Sequence, residues 1–201
     1  MNGLQVYVIG AGGHAKVVID AIIQEGKYEV TALVDPAKTG QAGQFPIISD
    51  TGGLSPGSFV VAIGDNKTRT KLYDQLINDG WTPVSIVHPK AIVAADVVIG
   101  FGTVVFAGAI INACARIGAN SIINTGAIIE HDCAIGNNSH IAPGCSLAGG
   151  VSVGDNSLLG IGSSVLPSIK IGSGVIVGAG SCVIRDVGDG LQVAGVPAKS
   201  I

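Results

Sequence analysis

The 201-residue sequence contains few aromatic and few basic residues. Aromatic side chains make up 4% of the chain, so any core must be built from small and aliphatic groups. Only 11 residues are Lys or Arg and the net charge is −3, which excludes the basic surface typical of nucleic-acid-binding proteins. An anionic ligand must then be held by backbone amides and a few cations.

Long apolar runs are also missing. No stretch of 18 apolar residues occurs, and the segment that starts at Met1 has no basic start followed by a long apolar run, so we expect neither a membrane span nor a signal peptide. The four cysteines, Cys114, Cys133, Cys145 and Cys182, show no CxxC or other metal-like spacing. We therefore expect structural, reduced thiols, no metal and a cytoplasmic location.

The sequence is rich in one feature, an aliphatic residue at every sixth position. Fifteen consecutive positions from Ile99 to Val183 follow this rule, and the residue four places after each is small or β-branched. This period fits neither an α-helix nor an ordinary strand. Glycine follows the aliphatic residue every 18 positions, at Gly100, Gly118, Gly136, Gly154 and Gly172. Three hexads per coil predict a parallel β-helix of five coils, and the frame extends back through Val87 and Val93.

A different pattern precedes the repeats. A buried strand at 5–9 runs into the turn Gly10–Lys16, a helix follows to about Gln24, and a second strand, 30–34, ends at Asp35. This order opens a Rossmann-like unit, in which glycines let backbone amides approach a phosphate. The Asp35 carboxylate lies at the end of this strand, where it can accept hydrogen bonds from the ribose or the base of a nucleotide. The alternative to nucleotide binding is that the glycine turn only allows the helix to pack closely on the sheet.

A third strand, predicted over 59–63, ends in a polar loop. Asn66 and Lys67 follow it at the carboxyl end of the sheet, where ligands bind in open α/β folds. The alternative is that Asp65 or Asn66 only caps the helix predicted over 68–78.

We predict two domains, a Rossmann-like α/β unit over 1–86 and a β-helix with a C-terminal cap over 87–201. The segment 37–57 is rich in turn residues, and a last short strand is predicted over 83–87 before the turn at His88. The first unit is too short for both halves of a dinucleotide domain, which favours a mononucleotide over NAD.

His131 is the candidate catalytic residue of the repeats. Asp132 follows it directly and can orient the imidazole and keep it basic, while Gly149, one coil further on, leaves a slot without a side chain above it. The alternative is a solvated surface histidine. His140 by itself is interpreted as a surface residue. The C-terminal tail is interpreted as a cap in which Lys199 is a solvated charge, and the alternative is that the tail and Lys199 contact an anionic ligand.

Several motifs together resemble the sialic acid O-acyltransferase-like sugar acetyltransferases. They are the hexapeptide repeats, GAGGHAK at residues 10–16, Asp35, AIGDNKTR at residues 62–69, the run 130–132 (EHD) and the AGVPAK tail. The resemblance covers the whole chain and comes nearest to the UDP-4-amino-sugar N-acetyltransferases of the bacillosamine pathway. It implies a left-handed β-helix, acetyl-CoA and a nucleotide sugar as substrates, and a homotrimer with active sites between adjacent solenoids.

The resemblance also implies roles for single residues. The nucleotide sugar is held by Gly12, Gly13, His14, Asp35, Gly64 and Lys67, to which the strand-end argument adds Asn66. His131 is the general base, tuned by Asp132 where close relatives carry Glu. The acetyl-CoA groove is lined by His140, Gly149, Ile161, Ala179 and the tail with Lys199. Where close relatives carry two acidic residues this chain has Asp35–Pro36, which leaves the choice of nucleotide base open.

The expected reaction is direct transfer of an acetyl group from acetyl-CoA to the amine of a nucleotide-linked 4-amino-4,6-dideoxy-sugar, with UDP as the expected nucleotide, in bacterial glycan synthesis. Backbone N–H groups near Gly149 would stabilise the oxyanion, and no acyl-enzyme is expected because Cys133 and Cys145 fall on inward positions. The alternatives are O-acetylation of a sugar hydroxyl, as on a sialic acid, and a non-catalytic nucleotide-binding scaffold. A nicotinamide oxidoreductase is disfavoured by the short first unit.

Overall fold

The computed structural model describes residues 4–201, so the expectation that rests on the start of the chain at Met1 lies outside this part. Two units follow one another along the chain, a mainly parallel sheet with two helices and a solenoid of very short strands. The expected fold class, a Rossmann-like α/β unit followed by a parallel β-helix, is confirmed.

The first unit is a six-stranded sheet with two helices. Its elements in chain order are β1 (Leu4–Ile9), α1 (Gly13–Glu25), β2 (Tyr28–Val34), β3 (Gly40–Ala42), β4 (Phe45–Ile48), β5 (Ser58–Val61), α2 (Asn66–Asn78) and β6 (Thr82–Pro83). The strand order is β3-β4-β2-β1-β5-β6, and β1 pairs in parallel with both β2 and β5. The turns that follow β1 and β5 therefore meet at one edge of the sheet.

Both helices begin earlier than the apolar pattern indicates. α1 starts at Gly13, inside the glycine turn, and α2 starts at Asn66. The first turns are small and polar, so apolar spacing does not reveal them. α1 ends before Gly26, whose φ of +71° is the left-handed geometry that favours glycine. In residues 4–201 no helix has the length and apolar character needed to span a membrane.

The structure differs from the sequence-based expectations for strands in two places. The segment 37–57, which is rich in turn residues, also contains the antiparallel pair β3 and β4, which the pattern did not indicate. The single strand expected over 83–87 is divided, because Thr82–Pro83 pairs with β5 whereas Ile86–Val87 pairs with Val104–Val105 in the solenoid. A local apolar pattern does not show which sheet supplies the partner strand.

The solenoid has three sheets whose strands repeat every 18 residues. The first sheet contains β7 (Ile86–Val87), β10 (Val104–Val105), β13 (Ile122–Ile123), β16 (His140–Ile141), β19 (Leu158–Leu159), β22 (Ile176–Val177), β24 (Gln192–Ala194) and β25 (Lys199–Ser200). The second contains β8 (Ile92–Val93), β11 (Ile110–Ile111), β14 (Ile128–Ile129), β17 (Ser146–Leu147), β20 (Ser164–Val165) and β23 (Cys182–Val183). The third contains β9 (Val98–Ile99), β12 (Arg116–Ile117), β15 (Ala134–Ile135), β18 (Ser152–Val153) and β21 (Lys170–Ile171).

Each coil has three corners. We call the turn between the first and second sheets the first corner, that between the second and third sheets the second corner, and that between the third and first sheets the third corner. In one coil these are residues 124–127, 130–133 and 136–139.

The 18-residue glycine repeat has a steric cause. A Cβ at Gly136 would lie 2.6 Å from the backbone nitrogen of Asp155 in the next coil. The same close approach of the next coil recurs at the other members of the repeat, Gly100, Gly118, Gly154 and Gly172. Stacked coils are spaced as hydrogen-bonded strands, about 4.8 Å apart, and leave no room for a side chain at these points.

The core of the solenoid is aliphatic, and two cysteines fill small positions in it. Cys133 and Cys145 are buried as expected, Cys182 is half-buried, and Cys114 is exposed with its thiol 3.2 Å from Asp96 Oδ2. All four are free thiols. Nowhere in residues 4–201 do three His, Cys, Asp or Glu side chains come together as ligands for a metal ion.

The two units share an apolar interface. Residues of α1 and β1 form one buried cluster with Val104, Phe106 and Ile122 of the solenoid. Hydrogen bonds extend this contact, since Arg69 of α2 donates to the carbonyls of Asn120 and Asn138 at 2.9 and 2.7 Å. The glycine turn and the polar loop before α2 are thereby fixed against the first sheet and the third corner.

Candidate active site

His131 lies on the second corner, and Asp132 fixes its ring. The distance from His131 Nδ1 to Asp132 Oδ2 is 2.8 Å. Because an ionised carboxylate only accepts, Nδ1 carries the proton and donates it, which leaves Nε2 with a free lone pair. Both side chains are about two-thirds exposed, at 64% and 63%. The histidine is therefore oriented as a base whose reactive nitrogen points away from its own carboxylate.

Electrostatics near His131 favour proton uptake. The hydrogen bond that His131 Nδ1 donates to Asp132 raises the pKa of His131 above its ordinary value, and the negative charges of Asp132 and Glu130 act in the same direction. A raised pKa makes the imidazole a stronger base near neutral pH.

Gly149 provides the slot in which the His131 ring lies. A Cβ at Gly149 would sit 2.6 Å from both Cε1 and Nε2 of the imidazole, so only a residue without a side chain leaves the ring in this position. The N–H of Gly150 donates to the His131 carbonyl at 2.9 Å and braces the corner. The expected stacking of Gly149 over His131 is thus present.

The glycine turn after β1 is open at its outer side. A Cβ at Gly12 or Gly13 would meet no atom within 4 Å, so packing within the chain does not require glycine at either position. Gly10 differs, since its φ is +105° and a Cβ there would lie 2.9 Å from Ile63 Cγ1. Room beside Gly12 and Gly13, at the N-terminus of α1, suits the close approach of a phosphate.

Asp35 braces this turn. Its Oδ2 accepts from the N–H of Ala11 at 2.9 Å, and its Oδ1 accepts from the N–H of Ala37 at 3.0 Å. Lys38 donates to the Ala11 carbonyl at 2.6 Å. The carboxylate therefore holds the turn in shape, and the lone pairs that these bonds leave unused can accept hydrogen bonds from a ligand.

His14 and His140 lie side by side under the turn. Their ring centroids are 6.4 Å apart, and His14 also packs edge-on against Phe106. Burial lowers the pKa of each imidazole to about 4, with a further contribution from the charge of Arg69. Both are neutral at pH 7, and the Nε2 of His14 has no hydrogen-bond partner within residues 4–201.

The tautomer of His140 follows from its neighbours. Thr125 N–H donates to Asn124 Oδ1 at 2.8 Å, which identifies the other amide atom of Asn124, 3.0 Å from His140 Nε2, as a donor nitrogen. Nε2 is thus an acceptor, and Nδ1 carries the proton. The interpretation of His140 as a surface residue is wrong, because the docking of the first unit half-buries it.

The loop before α2 contains a helix cap and an interdomain contact. Asp65 accepts from Thr68 N–H at 2.8 Å, so it caps the helix. The amide of Asn66 donates to the carbonyls of Asn156 and Ser157, both at 3.1 Å. The side-chain donors of Asn66 therefore bind the solenoid, and a ligand at this loop is left to Lys67 and the backbone of Gly64.

Two clefts border this loop. One, of about 490 Å³, lies between α2 and the solenoid and is lined by Lys67, Lys71, Leu158 and Ile176 among others. The other, of about 500 Å³, lies above the ends of β1, β2 and β5 and combines Asp35 with the polar segment 49–51. The sequence analysis singled out no residue of this segment, because it lies in the stretch 37–57 that is rich in turn residues and carries no motif.

The remaining candidates lie elsewhere on the solenoid. Ile161 and Ala179 are exposed and stack 18 residues apart at the first corner, and Lys199 is exposed in β25. His131 is at the second corner, whereas the first unit covers the first sheet and contacts the third corner. One chain therefore does not bring His131 together with the glycine turn.

Arg69 is the residue of this region that sequence reasoning missed. Its side chain is 1% exposed and joins the loop to the solenoid. The motif AIGDNKTR contained it, but a basic residue inside an amphipathic helix gives no signal of burial.

Comparisons with known proteins agree with this architecture. The family described as the PglD N-terminal domain matches residues 5–76, and bacterial transferase hexapeptide repeats match 114–149 and 150–185. The chain is 41% identical over 110 residues to the UDP-N-acetylbacillosamine N-acetyltransferase of Bacillus subtilis strain 168. That alignment spans 51% of this chain and 51% of the enzyme, and the alignment to another curated relative spans 21% of its length.

Solved structures match over nearly the whole chain. The acetyltransferase domain of PglB from Neisseria gonorrhoeae FA1090 is 35% identical, with a TM-score of 0.95, over 99% of this chain and 100% of that one. That domain has also been solved with acetyl coenzyme A. PerB from Caulobacter crescentus, in complex with CoA and GDP-perosamine, is 43% identical, with a TM-score of 0.91, over 98% of this chain and 97% of that one.

Proposed function

Because the chain belongs to the hexapeptide-repeat sugar acetyltransferases with a PglD-type N-terminal domain, we propose that it transfers an acetyl group from acetyl-CoA to a nucleotide-linked amino sugar. The acceptor is the 4-amino group of a 4-amino-4,6-dideoxy-sugar, with UDP as the nucleotide. The observation that carries this proposal is the oriented imidazole of His131, with a free Nε2 lying over Gly149. The proposed place of reaction is bacterial glycan synthesis in the cytoplasm.

In the proposed mechanism His131 is the general base. The sugar amine attacks the thioester carbonyl carbon, and Nε2 of His131 accepts the proton that the amine loses. The C–S bond then breaks, and the CoA thiolate leaves and is protonated from His131. The Gly149 backbone N–H is the proposed donor to the oxyanion of the tetrahedral intermediate.

The transfer is proposed to be direct, without an acyl-enzyme. Cys133 and Cys145 are buried in the solenoid core, and burial raises the pKa of both thiols. A buried, protonated thiol is a poor nucleophile. The exposed Cys114 has its pKa raised by the hydrogen bond to Asp96, so it is also a poor nucleophile.

The substrates are assigned to the two units. In the proposed division, residues 1–86 bind the nucleotide sugar through Gly12, Gly13, His14 and Lys67, and residues 87–201 bind acetyl-CoA. The open space beside Gly12 and Gly13 supports a phosphate there. The exposure of Ile161 and Ala179 supports a CoA groove along the first corner.

The proposed active site needs a second copy of the chain. His131 and the glycine turn lie on different sides of the triangular coil, and a neighbouring solenoid is the obvious source of the missing half. We propose a homotrimer in which each site combines His131 of one protomer with the nucleotide turn of the next.

A second candidate exists for the nucleotide of the sugar substrate. The 43% identity to PerB, solved with GDP-perosamine, favours a GDP-linked 4-amino sugar as the alternative to UDP. Asp35–Pro36, which stands where close relatives can carry two acidic residues, is the local departure relevant to this choice.

A substrate panel tests the function. Release of free CoA is measured with UDP-, dTDP- and GDP-linked 4-amino-4,6-dideoxy-sugars and with free sialic acid. We expect the highest kcat/KM for the UDP-linked amine. Preference for the GDP-linked amine supports the second candidate, activity only on sialic acid indicates O-acetylation, and no CoA binding by calorimetry indicates a non-catalytic scaffold.

A further inference from the structure

The beginning of α2 is hydrogen-bonded to three successive coils of the solenoid. Asn120, Asn138 and Asn156 occupy equivalent positions at the third corner, 18 residues apart, and all three have left-handed backbone geometry, with φ of 52°, 58° and 59°. Asparagine tolerates this geometry better than most residues do. Their carbonyl oxygens form a row with the spacing of stacked strands, about 4.8 Å, and each accepts a hydrogen bond from a side chain of α2.

Arg69 makes two of these three contacts and also holds the loop that precedes α2. Its Nε donates to the Asn120 carbonyl at 2.9 Å, and its Nη2 donates to the Asn138 carbonyl at 2.7 Å. The two Nη atoms also donate to the loop, at 2.7–3.2 Å, through the carbonyls of Ile63 and Gly64 and the Oδ1 of Asn66. Because the guanidinium is planar and rigid, it fixes the loop relative to the row of carbonyls.

Asn66 makes the third contact. Its amide nitrogen donates to the carbonyls of Asn156 and Ser157, both at 3.1 Å, while its oxygen accepts from Arg69 at 2.7 Å. Arg69 itself is 1% exposed. Burying a charge is costly, and an apolar side chain of similar size often packs as well or better. What the guanidinium adds at this position is therefore a defined geometry between the loop and the coils.

The coils that Arg69 and Asn66 bind are those that contain the proposed base and its slot. Asn138 lies in the same coil as His131, and Asn156 lies in the same coil as Gly149. The loop before α2 is thus held at the level of these two coils. Rotation about the axis of a cyclic trimer leaves the level of each residue along that axis unchanged. With solenoids parallel to this axis, the loop of one protomer lies at the level of the base of the next.

We propose that Arg69 is a positioning residue for acetyl transfer, which holds the nucleotide-binding loop at the level of the catalytic coil so that the sugar amine reaches the base of the neighbouring protomer. This inference rests on the proposed function and its shared active site, and deepens them. Reacting atoms must approach within about 3–3.5 Å, and a displacement of about 1 Å can reduce the rate on the order of 100-fold. Arg69 acts through the loop and contacts no reacting atom.

The experiment separates turnover from binding in the full chain. For the wild type and Arg69→Lys, kcat and the KM of both substrates are measured with the nucleotide-linked amine preferred in the substrate panel, and calorimetry counts the CoA sites per chain. Lysine keeps the charge but donates from a single nitrogen, so it does not span the loop and the row of carbonyls. We expect kcat to fall about 10- to 100-fold and both KM values to stay within about threefold, because positioning acts on the transition state. The number of CoA sites should be unchanged.

Asn66→Ala is the second variant, and it tests the inference should Arg69→Lys fail to fold. It removes the contacts with Asn156 and Ser157 and leaves the two bonds from Arg69 to the solenoid. We expect a smaller loss of kcat, about 3- to 10-fold, since only part of the hold on the loop is removed. Asp74→Asn, at an exposed position of the same helix, is the matched control and should keep the kcat of the wild type.

Three results would overturn the inference alone. They are an unchanged kcat in Arg69→Lys, a loss of CoA sites in the same proportion as kcat, which indicates unfolding, and a raised KM for the sugar at constant kcat, which indicates a role in binding only. If Arg69→Lys does not fold, an unchanged kcat in Asn66→Ala overturns it. If the wild type acetylates none of the nucleotide-linked amines, the proposed function is wrong and the inference falls with it.

Discussion

Asp132 controls the protonation of His131, which makes the pH dependence of the reaction a test of their pairing. The hydrogen bond raises the pKa of His131, so the base becomes protonated and inactive at a higher pH than an ordinary histidine would. In Asp132→Asn the pKa should fall toward 6.5, and the acid limb of the kcat/KM profile should move to lower pH. The plateau should also drop on the order of tenfold because the ring loses its orientation.

Asp155→Asn is the control for Asp132→Asn, since Asp155 accepts from a backbone N–H on a different corner. Its pH profile should match that of the wild type. An unshifted acid limb in Asp132→Asn would mean that the observed ionisation is not that of His131.

Gly149 is predicted to affect catalysis because its missing side chain leaves the slot in which the His131 ring lies. In Gly149→Ala the new Cβ would lie 2.6 Å from His131 Nε2, so the ring must turn out of its slot. We expect kcat to fall about 10- to 100-fold because positioning is lost, with little change in the melting temperature. Gly188→Ala is the matched control, because a Cβ there meets only Leu191 Cδ1 at an ordinary 3.7 Å. Equal kcat values in the two variants would show that the slot has no role.

At the scale of elements, the stacking of coils at the third corner leaves no room for a side chain at the repeated glycine. A Cβ at Gly136 would overlap the backbone of Asp155 in the next coil, and both residues lie just after strands, Ala134–Ile135 and Ser152–Val153, that pair with each other. Gly136→Ala should therefore lower the free energy of unfolding by about 3 kcal/mol, the upper range for overpacking a rigid core. Urea unfolding followed by circular dichroism measures this difference.

The same control applies to the stacking prediction. Gly188→Ala lies on the same corner near the C-terminal end of the solenoid and should change the unfolding midpoint only slightly. A midpoint for Gly136→Ala equal to that of Gly188→Ala would show that the coils can separate enough to admit a methyl group.

At the scale of the whole molecule, the prediction concerns shared active sites. His131→Ala removes the base, and Gly13→Val blocks the nucleotide turn without a clash in its own chain, since a Cβ there meets nothing within 4 Å. Each variant alone should be inactive. After the two are mixed, denatured and refolded together, trimers of both chains should regain about a quarter of the wild-type activity, because random assembly pairs an intact His131 with an intact turn at that frequency.

One result of the mixing experiment would contradict shared active sites. If each chain contained a complete active site, refolding the variants together would give no more activity than the separately refolded chains. Separate refolding of each variant is the control for spontaneous recovery, and the molar mass of the mixture by light scattering checks that trimers have formed.

The sequence alone determined the solenoid, because a period of six is imposed by stacking and each coil repeats the demand for an aliphatic residue facing inward. The same period located Gly149 over His131 and assigned Cys133 and Cys145 to the core. Local chemistry also revealed the glycine turn, since strand, glycines and helix follow one another directly along the chain. The sequence did not reveal the hairpin of β3 and β4, whose short strands lie among turn residues. It also did not reveal the division of the strand at 83–87, where pairing with strands of two different sheets decides the structure.

Only the tertiary structure decided the states of the buried polar groups. His140 has the sequence context of a surface residue, and docking of the first unit places it beside His14 and lowers its pKa to about 4. Arg69 has the context of a solvated helix residue, and its burial depends on carbonyls about 50 and 70 positions away in the sequence. Desolvation and long-range hydrogen bonds act through space, so no pattern along the chain encodes them.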